Sequence, residues 1–335
     1  MTRVGHRGSP ATRRQRRKKT GRAGRITIAV IAVVAVAAGI AGVLLRHRSS
    51  EQAGPLPVPL PAAAGSYLGV YAHGTPASYA GVTAFRKATG TSPDVVMYYS
   101  GWYVPFPARF AATTARDGAV PLVQMDPDHQ SVARIAAGGY DGYLSAYAEA
   151  VRAYRHPVIL SFGHEMNGDW YSWANGHTPP ATFVKAWRHI VTLFRALGAR
   201  NVTWLWTVNI INNSRGGTIP RPDAWWPGDK FVDWVGIDGY YLKPSWTFAS
   251  LFGPTIADVR KLTLDPILVG ETAAVPAAGQ PAKIADLFDG VHKYGLLGFV
   301  WFDATNSAQQ HFGITSPAAL AAFSQGARSY HRPGS

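Results

Sequence analysis

The sequence predicts an α/β fold, a (β/α)8 TIM barrel preceded by one transmembrane helix and a proline-rich stalk. Three observations lead there. Short runs rich in Val, Ile and aromatic residues recur through residues 67–335, amphipathic stretches separate them, and an uncharged run of twenty residues precedes them at 26–45. Short apolar runs of this kind suit parallel strands buried on both faces.

The first 25 residues carry ten Lys or Arg, among them Arg13, Arg14, Arg16, Arg17, Lys18 and Lys19, and no Asp or Glu. The formal net charge of +14 therefore belongs mostly to this tail, and the rest of the chain carries only +4. A tail-borne charge gives no reason to expect nucleic acid as partner of the folded part. Residues 1–25 read as a basic cytoplasmic tail, because Lys and Arg flanks stay on the inner side of a membrane. Residues 26–45, ITIAVIAVVAVAAGIAGVLL, span roughly 30 Å as a helix at about 1.5 Å per residue, the hydrocarbon thickness of a bilayer. Cleavage as a signal peptide is the rival reading. The run exceeds the usual ~7–15 residues, and Arg46-His47-Arg48 follows where a cleavage site needs small residues. The expectation is a single-pass membrane protein with its catalytic domain extracytoplasmic, or a secreted one if the segment is cleaved.

Residues 46–66 form a linker in which Pro55, Pro57, Pro59 and Pro61 alternate with apolar residues, an extended polyproline-like spacer. The barrel is assigned to 67–335. Strands are expected at 67–72, 94–99, 120–126, 157–163, 202–209, 232–238, 266–271 and 298–303. The clearest helical patterns lie at 140–155, 180–198, 280–294 and 317–330, the last opened by Ser316 as N-cap and Pro317 in the first turn. Segment 210–231 has little helical periodicity. An open doubly wound sheet is the alternative, but no Gly-rich phosphate loop is present. Cysteine is absent, so the domain has no disulfide, zinc–thiolate or cysteine-nucleophile chemistry.

Glutamate occurs only at positions 51, 149, 165 and 271. Glu51 falls in the linker and Glu149 on the polar side of a helix. Glu165 and Glu271 both follow apolar strands, the fourth and the seventh, at the barrel rim where active sites are built. Two facing carboxylates are what glycoside hydrolysis requires, with one donating a proton to the leaving oxygen and the other attacking or stabilising the anomeric carbon. Tryptophans in the expected rim loops (Trp102, Trp170, Trp173, Trp225, Trp226, Trp246, Trp301) could stack on sugar rings, while Trp204, Trp206 and Trp234 lie within strands as core. Other chemistries fit poorly. His164-Glu165 does not open a zinc-protease motif, since Gly168 stands where the second histidine belongs. Asp126, Asp128 and His129 lack further ligands for a metal. No cofactor and no metal are expected.

The stretch Phe162-Gly163-His164-Glu165-Met166-Asn167-Gly168-Asp169-Trp170-Tyr171 resembles the acid/base signature of glycoside hydrolase family 26. Asp238-Gly239-Tyr240, Glu271 in VGET, and Trp301 near the end of the eighth strand are similar to further motifs of that family. The resemblance implies a retaining endo-β-glycanase with Glu165 as acid/base and Glu271 as nucleophile, the latter starting ionised with Tyr240 as hydrogen-bond donor. It also implies that Trp170 and Trp301 shape the site of the cleaved sugar. His164, Asn167, Tyr171, Asp238 and Trp102 complete the expected substrate-binding set. The sequence departs from many mannanases of the family at Phe302-Asp303, where they carry arginine after the tryptophan. The histidine they use beside the substrate has no secure counterpart, and Trp102, Asp126 and His129 occupy that region. β-1,4-Mannan is the first substrate implied, then mixed-linkage β-glucan or β-xylan. A non-hydrolytic polysaccharide-binding protein and a transglycosylase are the competing functions. The ectodomain is expected to be monomeric.

Overall fold

The computed structural model describes residues 60–211, 219–306, 309–328 and 330. The basic tail, the apolar run at 26–45 and the linker up to residue 59 lie outside them. Among the described residues no helix is long and apolar enough to cross a membrane.

Eight parallel strands close into a barrel in sequence order: β1 (Tyr67–Ala72), β2 (Val95–Ser100), β3 (Val120–Met125), β4 (Val158–Phe162), β5 (Val202–Asn209), β6 (Trp234–Asp238), β7 (Ile267–Thr272) and β8 (Gly298–Asp303), with β8 pairing back to β1. The helices between them are α1 (Ala80–Thr89), α2 (Ala108–Arg116), α3 (Val132–Ala136), α4 (Asp141–Tyr154), α5 (Pro180–Ala196), α6 (Phe248–Leu251), α7 (Gly253–Val259), α8 (Gln280–Lys293) and α9 (Pro317–Arg328). The (β/α)8 expectation therefore holds. Where periodicity was weak, between β5 and β6, the described residues form two short 3-10 turns, Pro222–Trp225 and Asp229–Phe231, in place of a helix.

Helix α5 illustrates how the outer layer is held. Phe183, Ala186, Trp187, Ile190, Val191 and Phe194 recur at helical spacing and are buried against the outer faces of the strands, each large side chain contributing roughly 1.5–3 kcal/mol. At α9 the Ser316 hydroxyl accepts the Ala319 N–H at 3.1 Å, capping the first turn as expected.

Side-chain alternation along the strands builds the inside of the barrel. Val95 and Met97 of β2, Leu122 of β3, Ile159 of β4, Leu205 of β5, Trp234 of β6, Leu268 of β7 and Val300 of β8 form one buried interior cluster. Leu60 packs against the same cluster. The Gly65 N–H donates to the Leu296 carbonyl at 2.8 Å and the Tyr67 hydroxyl to that of Pro61 at 2.8 Å. Residues 60–66 thus close the base of the barrel. Continuing each strand by two-residue steps brings Tyr71, Tyr99, Asp126, Asn209 and Phe302 to its open end.

Candidate active site

A cleft of about 660 Å³ opens at the C-terminal end of the strands, and both Glu165 and Glu271 line it. Each arrives by a local irregularity. Glu165 follows Gly163, and both residues are left-handed, at φ +54° and +57°. At Gly163 a side chain would also meet the Phe183 ring at 2.9 Å, so only glycine serves there. The left-handed Glu165 is a strain of order 1–3 kcal/mol of the kind found at functional sites. It is held by its N–H donating to the Thr207 carbonyl and its carbonyl accepting the Gly168 N–H, both at 2.9 Å.

Glu271 depends on a bulge. Gly236 and Asp238 of β6 oppose Leu268 and Glu271 of β7, and Val269 and Thr272 oppose Phe299 and Trp301 of β8. One extra residue in β7 therefore shifts the alternation, so Glu271 turns inward although Leu268 does too.

The carboxyls meet different partners. Glu165 accepts the Trp170 indole N–H at 2.8 Å and the Asn209 amide at 2.5 Å. Asn209 is fixed by a two-way exchange with Asn167, whose amide donates to the Asn209 carbonyl and whose oxygen accepts the Asn209 N–H, both at 2.8 Å. Glu271 accepts hydroxyls from Tyr99 and, at 2.7 Å, from Tyr240. Burial and the nearby Glu271 charge push both phenols well above their usual range, so they remain donors.

Burial pushes the Glu271 carboxyl up to about 7; the His164 cation opposes this, the Glu165 charge adds to it, and the two tyrosine donors oppose it. A nucleophile ionised from the outset was expected. In the free cleft Glu271 loses its proton only near neutrality. His164 is raised as well, against the effect of its own burial. Burial alone would lower it, but Asp126, Glu271 and Glu165 raise it to about 9. The protonated ring donates from Nδ1 to Asp126 at 2.8 Å and from Nε2 to the Tyr171 hydroxyl at 3.1 Å, leaving the Tyr171 proton free to face the cleft. Tyr171 lies flat on Trp173, with centroids 4.3 Å apart, and Trp173 donates to the His164 carbonyl.

Of the residues expected from sequence, His164, Trp170, Tyr171 and Tyr240 line the cleft with the two glutamates. Asn167 is fully buried and acts through Asn209. Asp238 is fully buried against the backbone of Gly270 and Glu271, where burial and the charges of Glu271 and Glu165 push its carboxyl well above the usual range. Trp102 packs among Tyr140, Tyr143 and Phe162 outside the cleft. Trp301 is fully buried, donates to the Phe312 carbonyl at 3.2 Å and packs against Phe323 of α9. Strand alternation explains this outward turn: Val300 faces the barrel interior, so 301 faces the helices and 302 faces the cleft. Phe302 stacks on Tyr71 at 4.8 Å.

The cleft also contains Tyr71, Tyr99 and Asn209, none of which sequence reading assigned to it. Each occupies the inward position at a strand's end, a signal readable once strand register is fixed. Thr305, Asn306, Gln310 and Phe312, after β8, complete one wall.

A family model described as Glycosyl hydrolase family 26 matches residues 133–263. Endoglucanase H of Acetivibrio thermocellus is 30% identical over 269 residues, 75% of this chain and 29% of that protein. The β-1,3-xylanase TXYA of Vibrio sp is 31% identical over 175 residues, 49% and 36% of the two chains. This chain thus spans about a third of the length of these relatives. Among solved structures, the endo-β-1,4-mannanase catalytic domain of Bacillus sp. JAMB-750 superposes with a TM-score of 0.60 at 15% identity, covering 80% of this chain and 87% of that one. A β-mannanase from Bacteroides ovatus gives 0.55 at 16%, covering 73% and 82%. These two show likeness of fold. Residues 133–263 of the barrel thus carry the sequence pattern of glycosyl hydrolase family 26.

Proposed function

We propose that the barrel is a retaining endo-β-glycanase in which Glu165 is the acid/base and Glu271 the nucleophile. The observation that carries this reading is the unequal setting of two carboxyls in one cleft: Glu271 held by two phenol donors, Glu165 by an indole and an amide. In the first step Glu165 gives its proton to the glycosidic oxygen as the C1–O bond breaks, and a Glu271 oxygen bonds to C1 from the opposite face. In the second, Glu165 takes a proton from water, whose oxygen displaces Glu271 and restores the original configuration. A retaining pair requires carboxyls about 5–5.5 Å apart.

A β-linked glucan is the preferred substrate class, because the relative matched over 75% of this chain is named an endoglucanase. β-1,4-Mannan is the second reading, favoured by the family resemblance and by a mannan endo-1,4-β-mannosidase of Bifidobacterium adolescentis, 26% identical over 142 residues. Incubating the protein with β-glucan, mannan and xylan and following products by chromatography tests both. Glucan oligosaccharides, absent with Glu271→Ala, support the proposal. Mannan cleavage alone moves the assignment to the second reading, and no cleavage of any polymer leaves a binding protein. The apolar run at 26–45 is proposed to anchor this activity outside the membrane, and N-terminal sequencing of the native membrane fraction tests that.

A further inference from the structure

The two ends of the barrel differ in charge. Asp126, Asp128, Glu165, Asp169, Glu271 and Asp303 gather at the cleft end, in or beside the segments that leave the strands. At the opposite end, cations occupy the last turns of α1 (Arg86, Lys87), α2 (Arg116), α4 (Arg152), α5 (Arg195) and α8 (Lys293). Turns leading into strands on that face add Arg155, Arg200, Lys230 and Lys261, all exposed. The acids there are fewer. Asp94 and Asp233 accept backbone N–H groups of Leu68 and Trp204, Asp117 sits 3.7 Å from Arg86, and Asp229 and Asp265 complete the turns. Asp258 of α7 holds the Lys261 ammonium at 2.6 Å and the Arg221 guanidinium at 3.2 Å.

Cations at helix C-termini stabilise those helices through the backbone dipole, and that accounts for part of the pattern. It does not account for Arg200, which lies beyond α5. Nor does it account for the choice of Arg155, which follows α4 at φ +62°, a left-handed position where glycine costs nothing and arginine does. Beside Lys261 stands Leu264, 87% exposed, the most exposed large apolar side chain among the described residues. The chain also rises into the barrel through this face, at Leu60.

We propose that the base of the barrel docks on a lipid surface bearing anionic headgroups, with Arg155, Arg200 and Lys230 near the phosphates and Leu264 inserted among the acyl chains. Basic side chains attract such surfaces over about a Debye length, and a projecting leucine supplies the apolar contact. Docking by this face points the cleft away from the bilayer. The inference stands on the surface itself and does not require residues 26–45 to be an anchor.

The sequence lacks cysteine, which permits a clean probe. Full-length protein carrying Leu264→Cys, labelled with an environment-sensitive dye, is mixed with vesicles of phosphatidylcholine alone or of equal parts phosphatidylcholine and phosphatidylglycerol. A second preparation carries the dye at Tyr103→Cys, on the loop after β2 at the cleft end. The expected result is a blue shift at 264 with the anionic vesicles only, none at 103, and loss of the shift in high salt. Adding Arg155→Glu and Arg200→Glu should lower the docked-to-undocked ratio at least about thirty-fold, near the worth of two surface cations. Equal emission at 264 in both vesicle types, or equal shifts at 103 and 264, overturns the proposal. So does an unchanged ratio in the double variant at an unchanged unfolding midpoint.

Discussion

Tyr240, just past the end of β6, donates its phenol hydrogen to a carboxylate oxygen of Glu271 on β7 across an oxygen–oxygen distance of 2.7 Å, with Tyr99 donating to the other oxygen from across the barrel. This pair sets when the proposed nucleophile becomes available. A hydrogen bond to a charged group contributes about 1.5–3 kcal/mol, so either phenylalanine variant should lose roughly 10–150-fold in kcat/KM, with Glu271 titrating at higher pH. Rate–pH profiles of Tyr240→Phe and Tyr99→Phe check it, and a loss without displacement of the acid limb assigns the tyrosines another role.

The free cleft places Glu271 at about 7, and attack requires the ionised form. The kcat/KM profile should therefore rise with pH through about 7 and fall about tenfold per unit below it. An acid limb near pH 4–5 in the free enzyme contradicts this setting.

Removal of an acid/base costs on the order of 10²–10⁴-fold, less where the leaving group needs no proton. Glu165→Ala should cleave polymer slowly yet form a glycosyl-enzyme readily from an activated aryl β-glycoside, and azide should then release the β-glycosyl azide. Glu271→Ala with azide should give the α-azide. The anomeric configuration of each product, read by NMR, decides the roles, and exchanged outcomes reverse them.

Trp301 and Phe302 separate stability from binding. Trp301→Ala removes a fully buried side chain and should destabilise by roughly 3–5 kcal/mol, whereas Trp301→Phe should leave KM near its original value. Phe302→Ala should raise KM or lower kcat with a smaller change in denaturation midpoint. Denaturation curves paired with kinetics test both, and a kinetic defect confined to Trp301 variants restores the tryptophan to the sugar site.

His164 titrates at about 9 when folded, against 6.5 for the unperturbed ring. Its raised value means the folded state holds the proton more tightly. That stabilisation is complete below pH 6.5 and disappears as pH rises through 9, roughly 3 kcal/mol in all. Urea denaturation across this window should show the decline, and His164→Gln should flatten it.

Much of this was legible before the structure. The eight apolar runs and the two glutamates after the fourth and seventh of them follow from residue type and spacing, and His164, Trp170, Tyr171 and Tyr240 beside them from the resemblance to family 26. Trp301 and Phe302 were not separable, since two adjacent aromatics fit either face until Val300 fixes the register. Tyr71 and Tyr99 sit in runs of apolar and aromatic residues where nothing local distinguishes a core ring from one at the rim. Asn167 matched a motif, but only the folded pairing shows that it holds Asn209 and not the sugar. The setting of Glu271 depends on burial and on Glu165 across the cleft, neither of which is local in sequence.

The extra residue in β7 makes reactivity a matter of parity. Straightening β7 without removing a residue, so that each position from Leu268 to Glu271 paired in turn with β6 and β8, would rotate the glutamate toward the helices. Every side chain of the catalytic set would still be present in the sequence, and the barrel could still close. A relative with the full motif and an unbulged seventh strand of the same length would then be a silent member, recognisable by the register of that strand with the sixth and eighth and not by looking for a missing glutamate.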